Sequence, residues 1–172
     1  MLLDSVNNFI LYCLPEIPQE RMFRGYENRN ALPPVQDYVV YSISSTARIG
    51  TNVNTFAQGA NDDTLTTNVL REYAVDVDFF SSSQETAQQR AAALEAIARC
   101  YIGVDFFNKD NIGLNYADDT QYLPYVDLTE QYVHRYRVTL HLTVWEAVTV
   151  NQQYANEVVL QRVENIDTHH KP

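Results

Sequence analysis

At 172 residues, the chain has the length of one ordinary domain, and no shift in composition divides it. A formal charge of −10 excludes the basic footprint of a module that grips phosphates, and two cysteines, Cys13 and Cys100, are too few and too far apart for a metal knuckle or a disulfide framework. No apolar run reaches the length of about 18 residues that a membrane-spanning helix needs.

The segment from Met1 to Cys13 has neither the basic start nor the small-residue cleavage site of a secretory signal, so synthesis and use in the cytoplasm, with free buried thiols, are expected. Val6, Phe9, Ile10, Cys13 and Leu14 fall at helical spacing. They predict a short amphipathic helix from about Leu2 to Tyr12, ended by Pro15 and Pro18. Gln19 to Pro34 is polar, carries arginines and closes on two prolines, which reads as an extended surface segment. Tyr38 to Ser45 alternates, with Val39, Tyr41 and Ile43 on one face, as a strand does.

Thr46 to Asn68 is rich in Thr, Asn and Gly. It is too long for a hairpin turn and too polar for a core, and so is expected to be an extended loop, either disordered or an arm that orders against something else. Val69, Tyr73, Val75, Val77 and Phe79 form the inward row of a second long strand, with Glu72, Asp76 and Asp78 opposite; the two strands can join as an extended hairpin. Ser82 followed by Glu85 has the spacing of a capping box and opens a helix over about Gln84 to Tyr101, whose stripe of small alanines lets it lie close to a sheet. Ile102 to Thr129 reads as short strands and turns.

Tyr132, Tyr136, Val138, Leu140, Leu142 and Val144 then alternate with Arg135, Arg137, Thr139, His141 and Thr143, a period of two that marks a long antiparallel strand with one buried face. Only His134 interrupts the apolar row. Val158 to Glu164 supplies a final strand before a frayed tail over 166–172. The order of elements predicts an α+β domain with a mainly antiparallel sheet, helices on one face and a long inter-strand loop.

Chemistry is sparse. Asp76 and Asp78 share a strand face and read as solvated, as do the adjacent acids Asp118 and Asp119. His134 and His141 leave their strand on opposite faces and cannot converge as ligands, and His169-His170 in the tail is a weak metal signal. Nucleophile-elbow, phosphate-loop, zinc-helix and dinucleotide motifs are absent. No catalytic, cofactor or metal residue is therefore assigned, and no cofactor is expected. Arg21, Arg24, Arg29 and Arg48 concentrate positive charge in an acidic chain, as contacts between like-charged subunits require.

Several segments, in order, resemble the neck or tail terminator proteins of tailed bacteriophages. They are Pro18-Gln19-Glu20-Arg21, Arg29 to Pro34 running into a strand, the Ser44 to Asn52 turn, the Tyr73 to Phe80 strand before an alanine-rich helix, and Gln131-Tyr132-Val133-His134-Arg135-Tyr136. Ser81-Ser82-Ser83 departs from the acidic or glycine residues usual after the second strand, which touches helix capping only.

The resemblance implies a virion structural protein and not an enzyme: a hexameric ring, assembled in the host cytoplasm, that caps the tail tube and meets the head-side connector or stopper. The tail sheath is a further candidate partner, and DNA passes through the channel without specific binding. It also implies that Thr46–Asn68 is a contact arm. The candidate interface set is Arg21, Arg24, Arg29, Arg48, Thr51, Asn52, Asn54, Phe56, Gln131 and Arg135. Competing readings are another connector, head-completion or tail-tube protein, and an enzyme using Asp76, Asp78 and His141.

Overall fold

The computed structural model describes residues 2–26, 37–57, 63–126 and 132–152. Arg29, Gln131, the second half of the Gln19 to Pro34 segment, the strand expected at Val158 to Glu164 and the tail lie outside the described residues.

Helix α1 (Leu2–Cys13) buries Val6, Phe9 and Ile10, and Asp4 in its first turn suits the positive end of the helix dipole. A single 3-10 turn over Gln19–Arg21 leads into a three-residue strand β1 (Met22–Arg24), where only extended chain was expected. Strand β1 runs parallel to β2 (Tyr38–Arg48), with Phe23 opposite Val40. Strands β3 (Val53–Ala57) and β4 (Asp63–Ser81) follow. Helix α2 (Gln84–Ala98) and helix α3 (Tyr101–Asn108) precede β5 (Ile112–Ala117), two short strands β6 (Gln121–Tyr122) and β7 (Tyr125–Val126), and the 21-residue β8 (Tyr132–Gln152).

The strands are ordered β1-β2-β4-β8-β5, with β3 on β4 and with β6 and β7 on β8. Every pairing except β1 with β2 is antiparallel, so the expected α+β architecture holds. The register of β4 with β8 runs unbroken from Asp63 opposite Gln152 to Ser81 opposite His134. Alternation therefore places Val75, Val77 and Phe79 on the same face as Val138, Leu140 and Leu142, and all six are buried. Helix α1, the Ala87, Ala91, Leu94 and Ala98 stripe of α2 and Phe107 of α3 cover that face. Each large apolar side chain buried there contributes about 1.5–3 kcal/mol.

Several expectations change. The Thr46–Asn68 stretch is largely strand: β2 continues to Arg48, β3 pairs with β4 from Val53 opposite Asn68 to Ala57 opposite Thr64, and β4 begins at Asp63. Its Thr and Val residues suit a pleated ribbon, which outweighs the loop-like Asn and Gly content. The helix expected to run to Tyr101 stops at Ala98, and a second helix, α3, runs from Tyr101 to Asn108, where strands and turns were expected from Ile102 onwards. Phe107 settles this by packing its ring 4.8 Å from that of Phe9. A Cβ at Gly103 would lie 2.8 Å from the Ile97 carbonyl oxygen, so the two helices meet where only glycine fits.

The cap of α2 is Ser83, whose Oγ accepts from the Thr86 amide at 3.4 Å, and not Ser82. At the start of β8 the in-out pattern inverts, with Val133 buried and Tyr132 exposed, because there β8 pairs with β7.

Candidate functional site

On the sheet face away from the helices, Asp76 and Asp78 are only 7% and 5% exposed, which overturns their reading as a solvated strand face. The antiparallel register sets Arg137 directly opposite Asp78 and Arg135 opposite Phe80. Arg135 donates from Nε and Nη2 to the two Asp78 oxygens at 2.9 and 2.7 Å, and Arg137 does the same at 2.9 and 3.0 Å. Arg137 also reaches Asp76 at 2.8 Å through Nη1.

The other Asp76 oxygen accepts from Ser44 Oγ at 3.0 Å and Thr139 Oγ1 at 2.9 Å. Ser44 is available because a bulge between Ile43 and Ser45 aims its hydroxyl there. The Asp78 hydrogen bonds raise the affinity of Arg137 for its proton, against the opposing effect of burial. The Arg135 guanidinium lies 5.5 Å from the Phe80 ring centroid, and Phe80 stacks on Tyr38 at 4.5 Å. Asp78 thus accepts four hydrogen bonds and Asp76 three, and the two clamped carboxylates tie β2, β4 and β8 together.

His141 sits between Glu72 and Asp118, with each ring nitrogen 3.3 Å from a carboxylate oxygen, and stacks on Tyr116 at 4.1 Å. His134, the break in the apolar row, meets the Tyr122 hydroxyl through Nδ1 at 2.7 Å. Asp119 pairs with Arg99 at 2.6 Å. Among the described residues no group of three or more His, Cys, Asp or Glu side chains is arranged to hold a metal ion.

The second distinctive surface is an arm. Beyond Tyr73 of β4 and Val144 of β8, neither strand contributes to the core, and with β3 they form a three-stranded ribbon. From Asp63 to Glu72 the ribbon extends about 30 Å at the usual rise per residue. Thr66 and Thr149 join hydroxyls across it at 2.9 Å, and Asn54 accepts from Thr67 at 3.1 Å. Phe56 is 60% exposed, and Thr51 and Asn52 are exposed in the link between β2 and β3. Arg48 Nε donates to the Gly50 carbonyl at 2.6 Å.

The interface set thus divides. Arg48, Thr51, Asn52, Asn54 and Phe56 gather on the arm. Arg24 lies on edge strand β1, paired with Asp4 and 3.4 Å from the Tyr41 hydroxyl, and Arg21 precedes it in the 3-10 turn. Arg135 belongs to the Asp78 clamp on the other face. Arg137, Ser44 and Thr139 escaped sequence reasoning, although Asp-x-Asp on one long strand and Arg-x-Arg on another were visible signs of facing ladders.

No curated protein matches the chain significantly. A family model described as phage neck terminator protein matches residues 2–171, nearly its whole length. That match covers the clamp and the long exposed arm alike, and the chain belongs to the phage neck terminator family of virion structural proteins.

Proposed function

We propose that this neck protein assembles into a closed, hexameric ring that caps the tail tube, joins it to the head-side connector and leaves a channel for DNA, and that it catalyses no reaction. The observation that carries the reading is the three-stranded arm, a costly stretch of exposed sheet that the core does not need. Family membership supports a place at the neck, and the net charge of −10 supports a channel that DNA does not stick to. The clamped state of Asp76 and Asp78 supports a structural role over the competing enzyme.

The test is electron microscopy of the purified protein mixed with tail tubes that lack their head-proximal cap. A single ring at one end of each tube is expected, and long homopolymers or no binding would overturn the reading. Deleting residues 50–63 removes none of the described core residues, so folding should survive while head–tail joining is lost. Normal infectious particles from that deletion would remove the arm from the mechanism.

A further inference from the structure

We infer that the partner of the arm is a second copy of this chain, received on the aromatic outer surface of helices α1 and α3. The inference rests on the ring reading above and adds to it which two surfaces meet.

The shaft of the arm is free of charge between Arg48, Arg71 and Glu146 at its base and Asp63 at its far end. Residues 49–57, 64–70 and 147–151 contain no Asp, Glu, Lys, Arg or His, in a chain where 20% of residues are charged. Two copies at −10 each repel, so they approach at lowest cost where neither surface must desolvate or oppose a charge. The arm also presents apolar side chains there. Register places Phe56, Leu65 and Val150 in one row across β3, β4 and β8, on the side that carries the helices. Val148, two residues along the same face, is 62% exposed.

A ring needs a second, different surface, because a rotationally repeated contact joins unlike patches of neighbouring copies. The helix layer offers one. Tyr101 is 81% exposed at the start of α3, and Tyr12 is exposed on α1 with its ring 5.4 Å from Phe106. Asp105 of α3 and Lys109, which caps that helix, pair at 3.4 Å, so this pair adds no net charge beside Tyr101. Tyrosine-rich patches of this kind are favoured at interfaces, where the ring packs and the hydroxyl stays hydrated.

The experiment uses the full chain in two forms. First, a benzophenone photo-crosslinking side chain replaces Val148, and the protein is irradiated alone and on tail tubes. The crosslink is expected to reach α1 or the Tyr101–Phe106 stretch of a second copy. Crosslinks to the tube protein, to a connector protein or only within one chain would overturn the inference, while a ring still seen on the tubes would leave the ring reading standing.

Second, an arm variant (Val148→Asp with Val150→Asp) and a helix-surface variant (Tyr12→Asn with Tyr101→Asp) are examined by sedimentation, with circular dichroism to confirm folding. Each alone should associate at least tenfold more weakly than the parent. Mixed, they should form a one-to-one heterodimer and stop, since each retains one good surface. Parent-like association of either variant, or a mixture that stays monomeric, would refute the pairing. Association of the parent chain should strengthen as salt shortens the screening length from about 10 Å at 0.1 M to about 3 Å at 1 M.

Discussion

Replacing Asp78 by Asn tests the clamp most directly. The carboxylate accepts four hydrogen bonds from two guanidinium groups and is 5% exposed, whereas an amide offers one acceptor oxygen and turns an NH2 group towards donors. Removing one partner of a buried ion pair costs about 3–5 kcal/mol. The Arg135 and Arg137 side chains are 27% and 26% exposed and can recover some hydration, which favours the lower end, about 3 kcal/mol. At this chain length that loss lowers the melting temperature by roughly 6–12 °C.

Arg135→Ala should cost less, about 1–2 kcal/mol, because Arg137 still holds both Asp78 oxygens. A double-mutant cycle between positions 78 and 135, read by urea unfolding, should give clear coupling. An Asp78→Asn protein within about 0.5 kcal/mol of the parent would refute the reasoning and return the cluster to the status of exposed ion pairs.

Ser83→Ala should destabilise α2 by about 1 kcal/mol through loss of its cap, while Ser82→Ala should stay within about 0.5 kcal/mol; equal effects in thermal unfolding would contradict the cap assignment. Burial, with the neighbouring Cys100 adding to it, pushes the Cys13 thiol up to about 12. Because this raised value favours the neutral thiol, its contribution to stability is complete below the ordinary thiol range and is lost as pH rises towards 12. In native protein at pH 8.5, iodoacetamide should alkylate Cys13 on the order of a hundredfold more slowly than in urea, and equal rates would contradict its burial.

Sequence periodicity determined the elements with a buried face: α1 through Val6, Phe9 and Ile10, β4 through Val75, Val77 and Phe79, and β8 through Val138, Leu140 and Leu142. Apolar spacing of 3.6 or 2 follows from local geometry and needs no knowledge of the partner. The ordered segments from Pro18 to Tyr136 also sufficed to point to the family.

Tertiary structure decided what depends on a neighbour. The β-rich segment from Tyr101 to Asn108 is a helix because Phe107 meets Phe9 and Gly103 lets α3 approach Ile97. The Thr- and Asn-rich arm is sheet because β4 and β8 extend beside it, and unpaired backbone groups take up that template. Asp76 and Asp78 became a clamp only when an unbroken register brought Arg135 and Arg137 to them from about 60 residues away. Local propensity carries no information about such distant alignment, which is set by the burial of one sheet face as a whole.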